Sequence, residues 1–196
     1  MNNIREAIRQ INMSLAAEKN GAKMIAFTSA NRTNSQQTIV ANLAIMYARA
    51  GEKTLIINTD FGLDAFSQAF GIENEDGLSN FLNDSHFHVD DVIKQTEGQN
   101  LSVITSGSID ASETKFLIGD PRMNTLLSYA ADKYDRILIN TPVALNIKDY
   151  MKLYEAVDGV IIVNDLEKTS KKHFANMVHG LRKQEINVLG YISAKR

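Results

Sequence analysis

The sequence predicts a three-layer α/β domain: a doubly wound, mostly parallel sheet, with one extra helix at the N-terminus. Three observations predict it. Short apolar runs at 24–29, 54–57 and 159–163 are nearly continuous rather than alternating, as suits strands buried on both faces. Segments between the runs carry apolar residues at three- and four-residue spacing. Polar loops and glycines punctuate the two patterns, so that strand, loop, helix, glycine and strand follow one another.

Taken in order, Ile4, Ile8, Ile11 and Leu15, with Arg5, Glu6, Arg9 and Gln10 between them, predict an amphipathic helix over 4–15. Asn20-Gly21 breaks it. The first strand covers 24–29 and stops in a polar loop over 30–37. Ile39, Leu43, Met46 and Tyr47 mark one face of the next helix, which Gly51 ends. The second strand follows at once over 54–57. Further strands are expected at 101–104, 136–139, 159–163 and 187–192, with helices around 120–133 and 168–184. No repeat, low-complexity stretch or linker interrupts the chain. Residues 1–196 are therefore expected to form a single domain, with 1–20 as the N-terminal helix and 23–196 as the α/β core.

Composition narrows the chemistry. A formal net charge of −2 gives no bulk attraction to nucleic acid or to an anionic membrane. The absence of cysteine removes disulfides, thiolate chemistry and Cys-based metal sites. His86, His88, His173 and His179 are too scattered for a metal site. No run approaches the roughly 18–20 apolar residues that cross a bilayer, and the first residues lack the apolar block of a signal peptide. The expectation is a cytoplasmic protein that reaches the inner face of the membrane only through a partner. Lys168, Lys171, Lys172, Arg182 and Lys183 make the last helix basic, which reads as a solvated face.

In open α/β sheets, ligands bind beyond the carboxyl ends of the strands, where loops lead into helices. A phosphate-binding loop there needs glycines to turn backbone N–H groups inward. It also needs a lysine for the β/γ-phosphates, and a Ser or Thr for Mg²⁺. The loop after the first strand supplies the place without the parts.

The order and spacing of several short pieces resemble the bacterial tyrosine kinases of capsule and exopolysaccharide synthesis, relatives of the MinD/ParA P-loop ATPases. The pieces are Glu6-Ala7-Ile8-Arg9, Thr28-Ser29, Ala41-Asn42-Leu43-Ala44, Ala48-Arg49-Ala50-Gly51, Phe70-Gly71, Gly77-Leu78-Ser79, Tyr134-Asp135, Thr141-Pro142 and Val188-Leu189-Gly190. The resemblance spans nearly the whole chain and implies a P-loop NTPase-like fold. In the family's register, the phosphate loop reads Arg32-Thr33-Asn34-Ser35-Gln36-Gln37-Thr38. Thr33 and Ser35 stand for glycines, Gln36 for the lysine and Gln37 for the Mg²⁺ hydroxyl. No lysine lies between Lys23 and Lys53, so a shifted register does not restore one. Of the family's acidic positions, Asn58 and Asn140 have lost their charge. Asp60 keeps it, and Asp149 is a second candidate. Gly62 stands at an arginine position. The family's N-terminal subunit-contact helix implies an oligomer contact through Glu6 and Arg9, although its second arginine is Asn12 here. The family's C-terminal tyrosine cluster has no counterpart within these residues; the nearest tyrosine is Tyr191, expected in a strand.

Losing a buried cation beside a triphosphate removes charge-assisted hydrogen bonds, which are about twice as strong as neutral ones. Amide oxygens serve Mg²⁺ poorly, and side chains at 33 and 35 oppose a positive φ. With no local compensation in view, no catalytic residue, metal or cofactor is expected. The reading is a kinase-like pseudoenzyme acting by binding in capsule or exopolysaccharide chain-length control. Its expected partner is a membrane chain-length regulator or a sister tyrosine kinase. Two alternatives stand beside it: an active autokinase using ATP and Mg²⁺ through an atypical loop, or a MinD/ParA-like positioning protein. Arg32 and the N–H groups of the helix after Gln37 leave room for a weak anion site.

Overall fold

The computed structural model describes residues 9, 12, 13, 15, 21–31, 35–98, 100–109, 116–143, 147–165 and 169–194. Seven strands form one sheet: β1 (Met24–Ser29), β2 (Thr54–Asn58), β3 (Lys94–Gln95), β4 (Leu101–Ile104), β5 (Arg136–Asn140), β6 (Gly159–Asp165) and β7 (Val188–Ala194). Their spatial order is β3-β4-β2-β5-β1-β6-β7. Every neighbouring pair is parallel except β3 with β4. The expected doubly wound sheet is therefore present.

Strand side chains alternate between two cores. Ala26, Leu55, Ile57, Ile104, Ile137, Ile139, Val160 and Ile162 face one layer. That layer contains α3 (Leu78–Asn83), α5 (Pro121–Lys133), α6 (Met151–Glu155) and α7 (Lys171–Lys183); the short α4 (Val89–Val92) adds Val92 to it. Ile25, Phe27, Ile56, Val103, Leu138, Ile161 and Val163 face the other layer. There, α1 (Ser35–Arg49) and α2 (Phe66–Phe70) cover them. Burial on both faces explains why the strands read as unbroken apolar runs.

Local chemistry sets the helix ends. Gly51, at φ +92°, closes α1, and its N–H reaches the Ala48 carbonyl at 3.0 Å. Asp120 caps α5 by accepting from Arg122 N–H at 2.8 Å, with Pro121 in the first turn. Ser170 caps α7 by accepting from His173 N–H at 3.2 Å.

Two expectations need correction. Residues 35–37 belong to the first turn of α1 rather than to a loop ending at 37. Ser35 is therefore helical, and the steric penalty expected from a positive φ there does not arise. Strand β3 and the short helices α2, α3, α4 and α6 went unread because periodicity needs more residues than they contain. Of the helix expected over 4–15, Arg9, Asn12, Met13 and Leu15 are described as helical. Leu15 is buried against the α1-side core. Glu6 and the other positions of that helix lie outside the described residues.

Aspartates fasten the amino ends of the central strands. Asp158 Oδ2 accepts from both Lys23 N–H and Met24 N–H at 2.8 Å, tying the start of β1 to the start of β6. Asp135 Oδ2 does the same for Lys53 N–H at 2.8 Å, between β5 and β2. Charge-assisted bonds of this kind contribute more than neutral ones. Asp158→Ala is expected to lower stability by about 1–2 kcal/mol, less than the two bonds would give if buried. Urea unfolding should show Asp158→Asn, which keeps an acceptor, losing less.

Candidate functional site

The carboxyl ends of β2, β5 and β1 lie side by side, and the register sets Asn140 opposite both Asn58 and Phe27. Asn58 and Asn140 follow Ile56 and Leu138 at two-residue spacing, so their side chains fall on the α1 side of the sheet. Gln36, in the first turn of α1, is buried against them.

The three amides form a directed relay. Gln36 Nε2 donates to Asn140 Oδ1 at 2.8 Å. Asn140 Nδ2 donates to Asn58 Oδ1 at 2.9 Å. Asn58 Nδ2 donates to the Leu63 carbonyl at 3.2 Å. Backbone groups fix the direction at both ends. Gln36 Nε2 also faces the carbonyls of Phe27 at 3.1 Å and Thr141 at 2.6 Å, which can only accept. Asn58 Oδ1 also takes the Asp60 N–H at 3.1 Å, which can only donate. Reversing any one amide would set like against like.

Around Gln36 Nε2 stand three acceptors, whereas an amide has two N–H groups and an ammonium three. The other end of the Gln36 amide, Oε1, is buried and has no partner among the described residues. Three acceptors match the donor count of an ammonium, one more than this amide supplies.

Gln37 does separate work. Its Nε2 donates to the Leu63 carbonyl at 3.0 Å, and its Oε1 accepts from Ala65 N–H at 3.1 Å. Leu63 O is thereby shared by Gln37 and Asn58. The next residue, Asp64, accepts from Phe66 and Ser67 N–H through Oδ1, and from Ser106 N–H at 2.9 Å through Oδ2. The segment 59–65 is consequently tied to α1, to β2 and to the end of β4.

Ser29, Gln36, Gln37, Asp60, Leu63, Asn140, Thr141 and Val143 surround a residual cavity of about 10 Å³, room for roughly one water. Asp60 is half-buried at its edge, and its Oδ1 accepts from Gly62 N–H at 3.1 Å in a tight turn. Asp149 is exposed in a 3-10 turn and does not line the cavity. Thr38 is exposed, and its carbonyl accepts from Asn42 Nδ2. Ser35 is half-buried at the start of α1. Arg9 is exposed. Arg32, Thr33 and Asn34 lie outside the described residues. Among the described residues, no group of three His, Cys, Asp or Glu is placed to hold a metal ion.

Several participants escaped sequence reading. Thr141 Oγ1 donates to the Phe27 carbonyl at 2.9 Å and sits 3.3 Å from the buried Tyr154 hydroxyl. Burial pushes the Tyr154 phenol up from its ordinary pKa. Tyr150 is pushed up mainly by burial, then by Tyr154 and Asp60. The Thr-Pro pair flagged the first of these residues. The tyrosines and the Leu63 carbonyl carry no sequence signal.

Positions 36, 58 and 140, read separately from the sequence, are therefore coupled. Two carboxylates about 3 Å apart would repel by roughly 5 kcal/mol at an effective dielectric near 20. The two amides present carry no such repulsion and bond to each other. Asn140→Asp is expected to restore the problem. Its carboxylate would face Asn58 Oδ1, which backbone groups hold in place, and the loss should be about 2–4 kcal/mol at neutral pH. Burial raises the folded-state pKa of such an acid, so the folded state binds more protons than the unfolded one above about pH 4. The deficit should accordingly be smallest in acid and grow as pH rises. Equal urea midpoints for variant and parent at both pH extremes would contradict a buried, coupled site.

The AAA domain family matches residues 22–188. CapB of Staphylococcus aureus is 30% identical over 194 residues, covering 98% of this chain and 84% of the relative. The tyrosine-protein kinase YwqD of Bacillus subtilis (strain 168) is 29% identical over 181 residues, covering 92% of this chain and 76% of that one. Among solved structures, the VpsO kinase domain superposes with a TM-score of 0.85 at 29% identity, covering 99% of this chain and 96% of the other. The chain belongs to the AAA domain family and, within it, to the bacterial tyrosine kinases.

Proposed function

We propose that this chain is a kinase-like protein that acts by binding, in capsule or exopolysaccharide synthesis, and that its nucleotide site has become a structural hydrogen-bond network. The observation that carries the reading is the Gln36–Asn140–Asn58 relay. Phosphoryl transfer rests on positioning and on electrostatic stabilisation of the transferring group. The donor set at 36, 37, 58 and 140 is four neutral amides, and among the described residues Asp60 is the one carboxylate at the residual cavity. A magnesium-chelated triphosphate does not fit that set. It needs a cation on its phosphates and hard, charged oxygens around its metal.

The partner in this reading is the cytoplasmic end of a membrane chain-length regulator, or a competent sister kinase. Among the described residues, no helix is long and apolar enough to cross a membrane. In this reading, attachment at the membrane runs through that partner.

Calorimetric titration of ATP·Mg²⁺ is the direct test. Binding weaker than about 1 mM is expected, and no phosphotyrosine should appear after incubation with the partner. A micromolar dissociation constant overturns the reading. A restoration series sharpens it. Thr33→Gly, Ser35→Gly, Gln36→Lys and Gln37→Ser together put an ammonium back among neutral acceptors, for a gain of about tenfold at most. Adding Asn58→Asp and Asn140→Asp should raise the gain to about a hundredfold or more, because the cation then meets its carboxylates. No gain in either variant would refute the register on which the reading depends.

A further inference from the structure

The two edges of the sheet are treated differently. One edge is β3, only two residues long, antiparallel and carrying Lys94. Short length and a lysine are devices that keep an edge from pairing with another chain. The other edge, β7, runs seven residues as Val-Leu-Gly-Tyr-Ile-Ser-Ala, with no charge and no proline; its register shifts at Leu189, and from Gly190 to Ala194 the pairing with β6 is regular. It pairs with β6 on its inner side, and among the described residues no strand pairs with its outer side. It also displays a large aromatic surface, with Tyr191 67% exposed.

The helix beside this edge is basic. Phe174 of α7 meets the Tyr191 ring edge-on at 5.5 Å, which places that side of α7 next to β7. Lys171, Phe174, Val178 and Arg182 share one stripe by their spacing of three, four and four. Lys171 and Arg182 therefore flank the aromatic pair along the helix. Lys172 and Lys183 add to the same helix, and no acidic residue occurs from Thr169 to Gln184. Neither of the two ion pairs among the described residues involves α7.

We propose that β7 is a docking edge for an extended acidic segment of another protein, which adds a strand to the sheet while its carboxylates meet Lys171 and Arg182. Main-chain hydrogen bonds to an open edge supply affinity in such additions, and side-chain contacts supply specificity. Charge decides the occupant. A second copy of this chain, paired edge to edge through β7, would bring two basic helices to the same junction, and like charges there oppose it. This inference uses no residue of the amide relay, so it stands or falls separately from the nucleotide reading.

The test uses the whole chain, isotope-labelled, and two peptides of about ten residues alternating valine with glutamate or valine with lysine. Amide shifts and hydrogen exchange are followed across β7. The acidic peptide should protect amides within 188–194, and the basic peptide should not bind. Lys171→Glu with Arg182→Glu, both on the surface, should weaken the acidic peptide at least about tenfold. Added salt should weaken it too. Tyr191→Lys, a charge placed on the open edge, should abolish protection. Four results would overturn the proposal: no binding at millimolar peptide, equal binding of both peptides, shifts on α7 without protection in β7, or self-association of the chain through β7.

Discussion

The site rests on one hydrogen-bonded line of amides, from Gln36 in the first turn of α1 through Asn140 on β5 to Asn58 on β2. It crosses from the helical layer into the sheet where three parallel strands end together. Each amide is a good neighbour only while the other two are amides. A neutral chain of this kind tolerates a dry environment, where isolated charges would be heavily penalised. The relay also fixes the segment after β2, because its last donor and the Gln37 side chain share the Leu63 carbonyl. One local choice of chemistry thus sets the packing of α1, the ends of two central strands and the path of residues 59–65.

Much of the fold was legible because the sheet is buried on both sides. Continuous apolar runs located β1, β2, β4, β5, β6 and β7 to within two residues, and glycine at 51 located the end of α1. The start of α1 was misplaced because Ser35, Gln36 and Gln37 are polar and resemble a loop. They are polar for another reason: Gln36 buries its amide at the end of the sheet, and Gln37 buries its own against the segment after β2. Strand β3 and the one-turn helices left no readable period.

The site was half legible. Register against the family marked positions 36, 37, 58 and 140, and each was read as a loss. Spacing in the chain could not reveal that residues 104 and 82 positions apart share one hydrogen-bonded line. Nor could it reveal that Gln37 turns away from that line to hold Leu63 and Ala65. Side-chain partnership across a sheet is a property of register, and register is set by the whole core rather than by local sequence.

The three acceptors around Gln36 Nε2 make the site intolerant of piecemeal change. A single charge introduced at 36, 58 or 140 would sit among neutral amides in a low-dielectric pocket, with no opposite charge beside it. Charges introduced there together would offset one another, so the effects of such substitutions are not additive and depend on which neighbour already carries a charge.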